Sequence, residues 1–187
     1  MRVIWKLFVD FEKEEKWLNE MSAKGFALTD YFLGHYKFAE CKPGEYTYRI
    51  ELLENLYKHQ ESQDYIRFME ENGVEFMVSW GRWTYFRKKT DSPKAPFNIF
   101  SDLDSKITHY KRISRMFLVI GLSEIMLSIN QFSYFMDSFT ANGMTSYSPM
   151  NLFLLILLCT CAGLLLFNWN SIRKKIKKLN EEKLLRE

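Results

Sequence analysis

Residues 15–32, EKWLNEMSAKGFALTDYF, lie over residues 63–80, QDYIRFMEENGVEFMVSW, at a constant shift of 48 positions. The matched pairs are Trp17 with Tyr65, Leu18 with Ile66, Met21 with Met69, Gly25 with Gly73, Phe26 with Val74, Leu28 with Phe76 and Phe32 with Trp80. Self-similarity at a fixed spacing marks a duplicated structural unit. Before each glycine the apolar residues step by one, three or four positions, as on one face of a helix. A glycine directly after such a run stops the helix, because it enters the left-handed conformation that closes the last turn at little cost. Beyond it the pattern alternates as in a strand. Each copy is preceded by a strand-like run, at 3–9 and 46–52, and followed by another, at 36–39 and 82–87. The unit is therefore strand–helix–strand–strand, present twice, which predicts an α+β domain over residues 1–96. Two such units most economically share an antiparallel sheet with both helices on one face.

The other sheet face would then await a partner or a ligand. If residues 80–86 alternate without interruption, Trp80, Arg82, Thr84 and Phe86 project one way, and Gly81, Trp83 and Tyr85 the other. Together with Trp5, Tyr46 and Tyr48, this is more aromatic surface than one helix-covered face requires. Trp5, Tyr46, Tyr48, Trp80, Trp83 and Tyr85 are accordingly the candidate ligand or partner surface, since exposed aromatic patches mark interfaces and clefts. An acid beside such a face, Glu51 or Glu75, would suit an organic cation held by cation–π contact.

The second half of the chain has a different chemistry. The whole has 187 residues, 26 Lys+Arg against 23 Asp+Glu, 47% apolar and 26% charged side chains. That composition excludes disordered and collagen-like classes. The mean hydropathy of −0.25 averages two unlike parts. Between Arg115 and Arg173 the only charges are Glu124 and Asp137. Residues 150–169, MNLFLLILLCTCAGLLLFNW, carry no charge and are long enough to cross a bilayer core of about 30 Å. Residues 113–135 predict a second span, interrupted by Glu124, Asn130 and Gln131. A carboxyl group at that depth needs a partner, so Glu124 is the candidate intramembrane polar contact, between helices or between subunits. Gly121 and Ser128, at i−3 and i+4 from it, would give a small-residue stripe for close approach. Lys106, Lys111, Arg112 and Arg115 precede the first span, and five bases follow the second, whereas the loop at 136–149 has none. The positive-inside rule then places both termini in the cytoplasm. The remaining segments are a connecting helix at 97–112, entered from the TDSPKAP linker at 90–96, and a basic cytoplasmic tail at 170–187. No signal peptide opens the chain, because Asp10 arrives before an apolar core can form.

The front half balances its charges, with 18 bases and 18 acids in residues 1–112, which leaves no electrostatic footprint for direct nucleic-acid binding. No phosphate-binding, nucleophile-elbow or zinc-protease motif occurs. His35, His59 and His109 are scattered, and Cys41, Cys159 and Cys161 have no metal-ligand spacing. Glu12, Glu14 and Glu15 read as solvated acids at a helix start, where the helix dipole favours them. Asp102 and Asp104 read as caps of the connecting helix rather than as cation ligands. No catalytic residue, metal or cofactor is assigned, and an enzyme is not expected.

The segments FVDFEKEEKWLNEMSAKGF, PGEYTYRIE, SWGRWTYFRK and FNIFSDLDSKITHYKRI resemble the signatures of the DUF2812 family of unknown function. This resemblance implies a Gram-positive, membrane-anchored protein of the kind often encoded beside a PadR-type transcriptional regulator. It carries no active site to transfer. The expected function is a membrane-anchored cytoplasmic interaction or sensor module acting on a PadR-type regulator or another protein. The alternative is a binder of small amphipathic or cationic molecules, since duplicated units of this kind also resemble domains that hold such cations between two repeats. Expected partners are the lipid bilayer in the cell membrane, the regulator, and a second copy of the chain.

Overall fold

The computed structural model describes residues 1–90, 97–100, 102–142 and 149–186. The elements are β1 (Arg2–Trp5), α1 (Phe11–Ala23), β2 (Phe26–Phe32), β3 (His35–Glu40), β4 (Tyr46–Leu52), α2 (Gln60–Glu71), β5 (Glu75–Trp80), β6 (Trp83–Lys89), α3 (Leu103–Asn142) and α4 (Pro149–Leu184). They form two compact units, Met1–Ser105 and Lys106–Glu187.

The first unit is the α+β domain read from the repeat. Its strands make two antiparallel three-stranded sheets, ordered β1-β3-β2 and β4-β6-β5. The two orders are the same under the 48-residue shift. Even the irregularities repeat: the β2 register slips between Leu28 and Asp30, and that of β5 between Phe76 and Val78. Gly25 and Gly73 follow α1 and α2 with φ of +84° and +76°, the left-handed stops that the repeat called for. Asp10 caps α1, its carboxylate accepting from the Glu12 amide at 3.0 Å.

The arrangement differs from one sheet with both helices on a single face: β2 lies against β5 without a ladder between them, and at the far edge of the second sheet β4 has a partner of another kind. One edge of β4 pairs with β6, and the other is occupied by side chains of α1. The Ile50 amide donates to Glu15 Oε2 at 3.0 Å, and the Tyr48 amide to Asn19 Oδ1 at 2.8 Å. Asn19 Nδ2 returns a bond to the Tyr48 carbonyl at 3.1 Å, and the Ser22 hydroxyl both accepts from the Tyr46 amide and donates to its carbonyl. Residues 15, 19 and 22 share one helix face and advance about 6 Å and 4.5 Å along the axis. Alternate residues of a strand advance about 6.8 Å, so the two ladders stay nearly in step for three contacts. A helix has thus taken the place of a further strand beside β4.

Parity along β6 then fixes where each helix packs. Tyr85 faces Leu18 and Met21 of α1, in a cluster with Leu28, Tyr36, Phe38, Tyr48 and Ile50. Its neighbour Phe86 faces the opposite way, into Leu53, Ile66, Met69 and Val74 under α2. The second sheet is therefore covered on both faces, one helix to each.

In the second unit α3 runs unbroken for 40 residues and α4 for 36, so the connecting helix and the first apolar stretch are one element. Asp102 caps α3, accepting from the Ser105 amide at 2.6 Å. Both helices are long and apolar enough to cross a membrane, with mean hydropathies of 1.4 and 2.5 over stretches only 17% and 6% buried. Within the hairpin Gly121 faces α4: a Cβ there would lie 3.3 Å from Leu166 Cδ2. Residues 136–142 of the expected loop are helical; residues 143–148, like linker residues 91–96, lie outside the described residues.

The α1–β4 ladder gives a direct test. Asn19→Leu leaves the Tyr48 amide without its acceptor, at about 1–3 kcal/mol, while the Tyr48 carbonyl keeps the Arg49 donor at 2.9 Å. Thermal unfolding of the full chain should show the largest loss for Asn19→Leu and a smaller one for Asn19→Asp, which keeps the acceptor. Equal stability of the Leu variant and wild type would remove the ladder from the stability of the fold.

Candidate functional site: a buried carboxylate between tyrosines

Glu14 lies in the first turn of α1, and it points inward because it shares a stripe with Leu18 and Met21, four and seven residues on. It is 7% exposed. Its Oε1 accepts two phenolic hydrogen bonds, from Tyr36 of β3 at 2.7 Å and from Tyr85 of β6 at 2.6 Å. One oxygen therefore joins the helix to both sheets. Its Oε2 takes no hydrogen bond among the described residues and is not among their fully buried, unpartnered atoms.

Further aromatic rings pack against the two tyrosines and in the same core. The half-buried Tyr31 ring sits 4.7 Å from that of Tyr36 and 4.8 Å from that of Tyr85. Trp17 meets Tyr36 edge-on at 4.8 Å, and Trp83 packs against Phe11 at 5.7 Å. Tyr48, on the same side of the core, accepts the Leu28 amide at 2.8 Å, beside the register slip in β2.

The electrostatics follow from burial. Desolvation raises the Glu14 carboxyl above its ordinary 4.5, and the two tyrosyl donors, which favour the anion, only partly offset it. Burial first, then the neighbouring Glu14, pushes the Tyr36 and Tyr85 phenols far up, so both remain donors at any ordinary pH. The arrangement can hold a proton, or it can present a carboxylate to a cation inside an aromatic wall.

Glu14 was expected in solvent with Glu12 and Glu15, and the structure corrects this. Glu14 is buried, and Glu15 serves the β4 edge while also meeting Arg49 at 3.2 Å. The signal was its spacing to Leu18 and Met21, which a reading of α1 by apolar residues alone passes over.

The six expected aromatics do not make one surface. Tyr48 and Tyr85 are core residues, with Tyr85 in the Glu14 centre. Trp83 is half-buried, and Tyr46 lies under the Arg87 guanidinium at 4.1 Å. Trp5 and Trp80 are 61% and 43% exposed, on different sheets. Trp80 and Trp83 are cross-strand partners and so share a face, because Gly81 and Arg82 form a turn and residues 80–86 are not one strand. Neither expected acid is presented to these tryptophans as a lone charge. Glu51 is buried and accepts from Tyr65 at 2.7 Å on the α2 side, and Glu75 pairs with Arg87 at 2.7 Å. In the second unit Glu124 Oε2 is buried without a hydrogen-bond partner among the described residues. The Gly121 face beside it is already occupied by α4. Among the described residues no three His, Cys, Asp or Glu side chains gather to hold a metal ion.

A family model described as "Protein of unknown function (DUF2812)" matches residues 10–122, from the cap of α1 into α3. No curated protein and no solved structure matches the chain. The match spans well over half of the chain, which belongs to the DUF2812 family.

The raised carboxyl carries a pH signature. Above pH 4.5 the unfolded chain loses this proton while the folded chain keeps it, so stability falls with rising pH until the folded carboxyl also ionises, and is level beyond. Glu14→Gln keeps an acceptor for the tyrosines and removes the titration. The thermal midpoint of Glu14→Gln minus that of wild type should therefore grow as pH rises from about 4.5 and then plateau. A difference that does not vary with pH would show that Glu14 titrates normally.

Proposed function

We propose that this member of the DUF2812 family is a membrane-anchored sensor whose α+β domain takes up small amphipathic organic cations at Glu14. The observation that carries this reading is the carboxylate itself: buried, held at one oxygen by two tyrosines, and set in a core whose aromatic side chains include Tyr31, Trp17 and Trp83. A buried charge is costly unless it is paired. A cation against Oε2 supplies the missing countercharge, and the aromatic wall supplies cation–π attraction and apolar contact for an organic body. Both Oε1 bonds survive such binding, so the site accepts a ligand without dismantling the join between the sheets.

A regulatory protein partner, such as a PadR-type regulator, is a second reading, favoured by a separate surface. Trp5 and Phe32 both pair with His35 in register and so stand in one row on the outer face of the first sheet. Val3, one pleat along, extends that exposed apolar patch. Anchoring by α3 and α4 in the cell membrane, with the domain and both termini cytoplasmic, is supported by their exposed apolar stretches and by the placement of Lys and Arg at one end of the hairpin.

Two measurements test these readings. With the full chain in lipid nanodiscs, tetraphenylphosphonium should quench intrinsic tryptophan fluorescence saturably, and Glu14→Gln should weaken its apparent affinity at least tenfold. Saturation that is absent, or unchanged in Glu14→Gln, overturns the cation site. For topology, in a chain whose Cys41, Cys159 and Cys161 are replaced by serine, Asn142→Cys should react with a membrane-impermeant maleimide on intact cells. Lys88→Cys should react only after permeabilisation. The opposite pattern overturns the cytoplasmic assignment.

A further inference from the structure

We propose that the cleft between α3 and α4 at the basic end of the hairpin is a binding site for the phosphate headgroup of an anionic phospholipid, an inference that rests on the membrane-anchored reading. The cleft is an open groove of about 760 Å³. Five of its lining residues are cations, Lys111 and Arg115 from α3 and Arg173, Lys174 and Lys177 from α4, against one acid, Glu181. Lys111 and Arg115 are i,i+4 neighbours, as are Arg173 and Lys177, so each helix turns a basic face to the same space.

Little among the described residues balances this charge. Glu181 pairs with Lys177 at 3.8 Å, and the Arg173 guanidinium lies over the Trp169 ring at 4.9 Å. Lys111, Arg115 and Lys174 form no ion pair among the described residues. Like charges gathered in one cleft repel, and an anion between them relieves the repulsion at several partners at once. Arginine is suited to a phosphate because its planar fork meets two oxygens together.

Depth selects the lipid over a soluble anion. Arg115 and Arg173 are the last bases before a stretch holding only Glu124 and Asp137 as charges, so the upper end of the cleft sits at the edge of the apolar region. Trp169, beside Arg173, belongs to the same interfacial level. Lipid phosphates occupy that level, and basic clefts between membrane helices on the cytoplasmic side accept such headgroups. Leu118 and Ile176 line the same cleft and give the glycerol and first methylenes an apolar contact that inorganic phosphate could not use.

The test uses the full chain in nanodiscs made of equal phosphatidylglycerol and phosphatidylcholine, with the lipids retained after gentle ejection counted by native mass spectrometry. Wild type should retain phosphatidylglycerol in preference. Arg115→Gln/Lys174→Gln should lower that preference at least about tenfold, in line with the attraction per basic residue near an anionic surface. Lys175→Gln/Lys178→Gln, the same charge removed outside the cleft lining, should lower it clearly less than the cleft variant does. Arg115→Lys/Lys174→Arg, which keeps the charge and reports on folding, should preserve the preference. Equal retention of the two lipids by wild type overturns the proposal, as do equal losses in the two charge-removing variants. Displacement of the retained lipid by excess glycerol 3-phosphate would identify a soluble phosphate as the ligand and overturn the lipid assignment. A chain that does not enter nanodiscs overturns the anchoring reading and this proposal with it. Entry without lipid preference overturns only the proposal.

Discussion

The α+β domain depends on a helix standing where a strand would be expected. An open β4 edge would expose amides and carbonyls able to recruit another strand. Glu15, Asn19 and Ser22 of α1 satisfy three alternate residues of that edge, Ile50, Tyr48 and Tyr46. This brings α1 against both sheets, which sets Glu14 between Tyr36 and Tyr85. The site therefore follows from the edge ladder: without α1 along β4, the carboxylate and the two phenols would not converge.

Duplication built the domain, and divergence gave its helices different work. Under the 48-residue shift the positions of Glu14, Glu15, Asn19 and Ser22 fall on Ser62, Gln63, Arg67 and Glu70. None of these serves a strand edge. Ser62 donates to the Asn55 carbonyl, Gln63 to that of Tyr57, and Arg67 meets Asp64 on the surface. The helix lacking edge-binding residues is the one that packs on the opposite face of the second sheet, over Phe86. The two units retain strand order and bulge position, and lose equivalence where side chains meet the backbone of a distant strand.

That distinction separates what could be read in the sequence from what could not. The repeat, its left-handed glycines and the apolar stretches were legible because they depend on local spacing and composition. The Asp102 cap was legible for the same reason. Glu15, Asn19 and Ser22 were not, since in a helical pattern they resemble a solvated face, and their acceptors and donors lie 24 to 35 residues away. Glu14 was half-legible: its spacing placed it on the buried stripe, while its charge argued for water. Trp80 and Trp83 were set on opposite faces because a two-residue turn was read as continuing strand, and a turn reverses the parity on which such an argument rests.

The chemistry of Glu14 also bears on how such a site would respond. A proton and an organic cation would compete for one carboxyl group, because each neutralises the same buried charge. Binding of the cation favours the anionic form, so by linkage it draws the carboxyl back down towards the ordinary range from which burial displaced it. The reciprocal statement is that apparent affinity for the cation rises as pH rises through the folded carboxyl's titration, and levels off once the group is ionised. Tyr36 and Tyr85 do not join this exchange, since their own protons stay in place. They would hold the carboxylate in position at Oε1 while Oε2 changed its occupant, so the fold would keep its central join in every state of such a site.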